Sequence, residues 1–99
     1  MADLSRVEFQ LLALLNTREK SGRDVAVEFE AETGKAISYG TLYTTLRRLR
    51  EAGYVSARDD LDKDGRIRFF VLTGAGRRVL TEARQTYAKL AVFAAPNFS

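Results

Sequence analysis

The chain has 99 residues, 45% of them hydrophobic and 29% charged, with a net charge of +3 and a pI near 9.5. That describes one small globular domain with a thin core, basic enough to favour an anionic partner. It contains no cysteine and no histidine, which removes disulfides, thiolate metal sites, zinc hydrolases that need histidine and the Ser-His-Asp arrangement.

The start, Met1-Ala2-Asp3-Leu4-Ser5-Arg6, lacks the basic region and long apolar run of a targeting segment. Leu11 to Leu15 is the longest apolar stretch there, five residues, against the roughly 20 that a membrane helix needs. We therefore expect no membrane partner and a cytoplasmic location.

A first helix is predicted over about Asp3 to Asn16. Leu4, Val7, Leu11, Leu12, Leu14 and Leu15 recur there at helical spacing. A second covers about Gly22 to Glu32, with Val25, Ala26 and Phe29 as its apolar stripe and Thr33-Gly34 as its stop. The third is the best defined. Ser38 is a good N-cap, Leu42, Leu46 and Leu49 form a stripe, and Gly53 falls just past the end. The short linker between the second and third helices forces a sharp turn, as in a helix-turn-helix.

Tyr54-Val55-Ser56-Ala57-Arg58 alternates like a strand, and Arg66 to Leu72 is β-branched and aromatic. The polar run Asp59 to Gly65 between them reads as the turn of a hairpin. A last helix is predicted from an N-cap at Thr73 to about Phe93, with Pro96 beyond it as a stop. The expected fold is mainly α with a small β-hairpin: a winged helix-turn-helix with three helices, two strands and a fourth helix for dimerisation. Residues 1–73 would form the DNA-binding domain, and residues 74–99 the dimerisation helix and a short tail.

The third helix carries the main chemical signal. At 100° per residue, the side opposite its leucines holds Gly40, Thr41, Thr44, Arg47 and Arg48, with Tyr43 on the flank. A slim leading half lets a helix approach base edges, and arginines behind it reach guanines or phosphates. Lys35 to Arg50 contains four basic residues and no acid. The bland alternative is a solvated amphipathic helix. In the hairpin, Lys63, Arg66 and Arg68 suit a phosphate backbone or a minor groove. Asp59, Asp60, Asp62 and Asp64 in the same segment oppose that, and fit a charged turn that merely stays soluble. These aspartates do not make a calcium loop. Counted from Asp60, Gly65 is sixth, but Val71 stands where the twelfth ligand belongs.

On the last helix, Gly76, Leu80, Ala83, Tyr87, Leu90 and Ala94 follow an a/d spacing. The seam either packs on its own domain or pairs with a second copy, together with Leu4, Val7 and Leu11 of the first helix. No base is placed to activate a Ser, Thr or Tyr nucleophile, and the glycines spell no phosphate loop, so neither an enzyme nor a cofactor is expected.

Ile37-Ser38-Tyr39-Gly40-Thr41-Leu42-Tyr43-Thr44-Thr45-Leu46-Arg47-Arg48-Leu49, closing on Gly53-Tyr54-Val55, resembles the recognition-helix signature of PadR-type transcriptional regulators. Phe69-Phe70-Val71-Leu72-Thr73 followed by Gly76 is similar to that family's second wing strand and the opening of its last helix. Phe9 to Leu15 fits its first helix. The resemblance spans about residues 4 to 80. The chain departs from the family in having Gly22-Arg23 where Gly-Tyr is common, and Phe70 where a tyrosine is common. Ending soon after one C-terminal helix, it resembles the short subfamily, whose first and last helices build a homodimer.

What the resemblance implies is a repressor binding double-stranded DNA as a homodimer at an inverted repeat. Ser38, Tyr39, Gly40, Thr41, Tyr43, Thr44, Arg47 and Arg48 would lie in the major groove, with Lys63, Arg66 and Arg68 as wing contacts. It also implies an effector, a small aromatic or apolar molecule near the dimer interface. With no tryptophan in the chain, Tyr87 and Phe93 are the aromatics for such a site, with core packing as their other role. The rival reading is a winged helix that binds another protein, with the third helix buried against it.

Overall fold

Ser5 opens the first helix with a capping box. Its Oγ accepts the Glu8 N–H (3.1 Å), while Glu8 Oε1 accepts the Ser5 N–H (2.8 Å). The helix therefore begins at Arg6, not at Asp3. In the computed structural model, which describes residues 3–62 and 65–94, the elements in chain order are α1 (Arg6–Thr17), β1 (Lys20–Ser21), α2 (Gly22–Thr33), α3 (Tyr39–Glu51), β2 (Val55–Asp62), β3 (Gly65–Leu72) and α4 (Gly74–Ala94). The fold is mainly helical with a small antiparallel sheet, as expected.

Each later helix has its own start signal. Ser21 Oγ accepts from the Asp24 N–H, Ser38 Oγ from the Thr41 N–H and Thr73 Oγ1 from the Gly76 N–H. Gly34 and Gly53, at φ 74° and 82°, follow α2 and α3 in the left-handed region that side chains avoid. Leu42, Leu46 and Leu49 of α3 meet Leu11, Leu12 and Leu15 of α1, Val25 and Phe29 of α2, and Val79 and Leu80 of α4. Val55, Phe70 and Leu72 of the strands close this core.

The sheet has three strands in the order β1-β3-β2, all antiparallel. The expected hairpin lacks β1, a two-residue strand in which Lys20 pairs with Phe70 and Ser21 with Phe69. The expected turn is also corrected. Asp59 to Asp62 are strand, because Asp59 pairs with Arg68 and Leu61 with Arg66, so the hairpin extends almost to its tip.

Lys20 explains how so short a strand is held. Its side chain is fully buried, and Nζ donates to the Leu14 carbonyl (2.6 Å) and to Thr17 Oγ1, with Glu28 Oε1 at 3.7 Å. The ammonium thus caps the C-terminal end of α1, where a positive charge suits the helix dipole. Burial pushes the Lys20 pKa below the usual lysine value, and Glu28 opposes that shift.

Candidate nucleic-acid interface

The three leucines of α3 turn one side of the helix into the core, which leaves the other side in solvent. Ser38, Tyr39, Gly40, Thr41, Tyr43, Thr44, Arg47 and Arg48 are all exposed. Among the described residues, Arg47, Arg48 and Arg50 form no ion pair. A helix face that presents unpaired guanidinium groups is costly to bury against an apolar protein surface.

The leading half of this face is slim. Ser38 Oγ lies 3.1 Å from Thr41 Oγ1, and a Cβ built on Gly40 would meet, among the described residues and beyond the adjoining residues and the helix's own backbone, only Ser38 Oγ within 4 Å, at 4.0 Å. A shallow groove beside it is lined by Ser5, Val7, Gly40, Thr41, Thr44 and Arg48. Tyr39 and Tyr43 stack at 6.1 Å between ring centroids. Tyr43 also lies over Gly22, where a Cβ would collide with its ring, and 6.2 Å from Phe70. Its ring is thus anchored by α2 and β3 while one side stays exposed.

Side chains alternate along the hairpin, so its two faces have different fates. The face that begins with buried Val55, Phe70 and Leu72 continues outward as Asp59, Leu61, Arg66 and Arg68. It looks along α3, with a cleft at its base lined by Arg47, Arg50, Glu51, Val55, Ser56 and Ala57. Arg68 Nε donates to Asp59 Oδ1 (3.1 Å), and Arg66 Nη1 stands 3.8 Å from Asp59 Oδ2. Lys63, the remaining wing residue expected to contact DNA, lies outside the described residues.

The outer face holds Arg58, Asp60, Ile67 and Phe69. Arg58 Nε donates to Glu19 Oε2 (2.8 Å), Nη1 to Asp60 Oδ2 (3.1 Å), and its guanidinium lies 4.7 Å from the centre of the Phe69 ring. Arg58 holds the Glu19 carboxyl below the usual carboxylate range, and Glu19 in turn raises the Arg58 pKa. This cluster ties the wing to the α1–β1 connection. The two aspartates that look equivalent in sequence, Asp59 and Asp60, therefore face opposite ways.

The residues expected at a dimer contact separate into three groups. Leu11 and Leu80 are 0% and 1% exposed within their own chain, so they are core residues, unavailable to a partner. Gly76, in the same seam, lies against the Tyr54 carbonyl. Val7 flanks the groove beside α3. Leu4, Ala83, Tyr87 and Leu90 gather around a shallow cavity of about 200 Å³ between α4 and the segment that precedes α1, with Phe9 and Tyr87 in ring contact at 4.9 Å. That volume is below the roughly 300 Å³ at which small-molecule sites begin. Phe93, the other aromatic expected near an effector, stands 89% exposed.

Two residues at the site escaped the sequence reading. Arg50 lines the cleft under the wing although it was not expected to contact DNA; its spacing of three from Arg47 was the available signal. Ser5 borders the groove at Gly40, and only the Ser-x-x-Glu box marks it.

A helix-turn-helix followed by a two-stranded wing, with a slim and then basic outward helix, defines the winged-helix class. The family model described as "Transcriptional regulator PadR-like family" matches residues 11–82. This chain belongs to that family, and is by class a transcriptional regulator and not an enzyme. Solved structures agree on the fold. A PadR family transcription regulator from Clostridium difficile superposes with a TM-score of 0.81 at 16% identity, covering 90% of this chain and 94% of that one. A PadR-like transcriptional regulator from Bacillus cereus gives 0.79 at 17%, covering 88% and 85%. Bacillus subtilis PadR in complex with operator DNA gives 0.72 at 23%, covering 79% of this chain and 47% of that one. No curated protein matches the chain significantly. Among the described residues, no helix is long and apolar enough to cross a membrane.

Proposed function

We propose that the protein is a repressor that binds an inverted-repeat operator in double-stranded DNA as a homodimer. The observation that carries this reading is the outward face of α3, slim at Gly40, Thr41 and Thr44 and bearing exposed arginines at Arg47 and Arg48. Bacillus subtilis PadR, a structural neighbour, is known in complex with operator DNA, which supports the same use of the fold here. In this reading, residues 1–73 form the DNA-binding unit. Residues 74–99 supply the dimerisation element, although the first turns of α4 also complete the core through Val79 and Leu80. Two copies would place their α3 helices in successive major grooves, so half-sites lie about one helical turn apart.

Selection of bound duplexes from a random library, followed by titration at several salt concentrations, tests the proposal. A palindromic consensus and an affinity that falls steeply with salt are expected. Against the selected duplex, Arg48→Ala should cost about 1–3 kcal/mol and relax preference at one position per half-site. Recovery of no common sequence, together with salt-independent capture of a protein, would sink it.

The wing is expected to act on the backbone. Arg66→Ala and Arg68→Ala should weaken binding to all duplexes alike and reduce the salt slope by up to about one unit for each phosphate no longer touched. An unchanged slope in both variants would mean that the hairpin stays off the DNA.

A further inference from the structure

The inner face of the wing carries a carboxylate where a nucleic-acid surface would be expected to carry none. Asp59 stands opposite Arg68 in the β2–β3 register and two pairs away from Arg66, the next arginine on the same face. Arg68 donates to one of its oxygens at 3.1 Å, and Arg66 approaches the other at 3.8 Å. Arg68, then Arg66 and Arg50, hold the Asp59 carboxyl below the usual carboxylate range, so α3 and both wing arginines act on one anion. Asp60, one residue on, points to the outer face and serves Arg58.

The geometry points to Asp59 as a built-in competitor of the DNA phosphate backbone, occupying the wing arginines of the free protein and restraining sequence-independent affinity. This rests on the DNA-binding reading above and deepens it. Arg66 and Arg68 have the reach and charge to take a phosphate, but each already has a partner. A phosphate at the wing must exchange with Asp59, and the two anions then repel each other across a few ångströms. Both arginines are at least half exposed, so the exchange takes place in water-rich surroundings and its cost is modest. It acts on backbone contacts alone, so it lowers affinity for every sequence by a similar factor and leaves base readout by α3 untouched.

Asp59→Asn tests this. The amide keeps an oxygen for Arg68 Nε and removes the charge. Binding of the full chain to a duplex of mixed sequence and to a selected operator should tighten in both cases, on the order of threefold to tenfold at low salt. The salt slope should steepen by about one unit. Asp60→Asn removes the same charge from the outer face and controls for net charge; it should stay near wild type. Weaker or unchanged binding by Asp59→Asn would overturn the assignment, and weaker binding would make Asp59 a positioning residue for Arg68. Equal tightening by both variants would also overturn it, since net charge alone would then suffice. A wild-type chain that binds no duplex would overturn the DNA-binding reading as well, which separates the two failures.

Discussion

Gly40→Leu should leave the protein folded and abolish operator binding. The helix has room for the side chain, because beyond the adjoining residues and the helix's own backbone a Cβ at Gly40 would meet nothing nearer than Ser38 Oγ, at 4.0 Å, among the described residues. Replacing glycine inside a helix by leucine also restricts the unfolded chain, so thermal stability should hold or rise by roughly 0.5–1 kcal/mol. In the proposed complex, however, Gly40 is where the backbone of α3 comes closest to the bases. A leucine there holds the helix away from the groove floor. Thr41, Thr44 and Arg48 then no longer reach the base edges, and each side chain that reads a base is worth about 1–3 kcal/mol. The expected loss of affinity is therefore on the order of 100-fold or more, with folding unharmed. Melting temperature and duplex affinity, measured on the same sample, should move in different directions. A folded Gly40→Leu protein that binds its operator at wild-type affinity would remove α3 from the interface.

The opposite outcomes expected for Gly40→Leu and Asp59→Asn follow from how far periodicity carries. Leu42, Leu46 and Leu49 announce the buried side of α3, and with it the exposed residues on the other side, because a helix is a rigid ruler over two turns. The caps at Ser38 and Thr73 were legible for the same reason, being local chemistry at a fixed spacing from the run they start. What could not be read locally was β1. Lys20 and Ser21 are too short for a strand pattern, and only the contact with β3, fifty residues away in sequence, makes them one. The buried ammonium of Lys20 belongs to the same class, since its acceptors lie on α1 and α2 and composition places a lysine in solvent.

The wing failed differently. Loop-forming residues dominate Asp59 to Gly65, so local propensity argues for a turn, yet cross-strand pairing with Arg66 and Arg68 draws Asp59 to Asp62 into the ladder. That extension also decides which aspartate faces α3. A one-residue change of register would exchange Asp59 for Asp60 on the inner face. The seam on α4 shows a third kind of limit. A heptad spacing states that residues share a stripe, but not where the chain's own core ends along it. Leu80 falls on the core side of that boundary and Leu90 beyond it.

Leu90→Glu should therefore yield a folded monomer. Leu90 is 54% exposed in the single chain, so the substitution disturbs little of the core formed by Val79 and Leu80. Beyond those residues α4 carries Tyr87, Leu90, Val92 and Phe93, all exposed. So much apolar surface on one projecting helix is unusual for a lone small domain. In a twofold dimer the same residue enters the interface twice, so each assembly acquires two carboxylates facing apolar side chains. An unpaired charge buried in this way costs several kcal/mol, enough to raise the dimer dissociation constant on the order of a thousandfold or more. Sedimentation at micromolar concentration should then show a dimer for the wild type and a monomer for the variant, with equal helical content by circular dichroism. Because a monomer offers one α3 to the DNA, operator affinity should fall with it, while single-site contacts to a half-operator remain. A Leu90→Glu protein still dimeric at that concentration would place the subunit contact somewhere other than the Leu4, Ala83, Tyr87 and Leu90 surface.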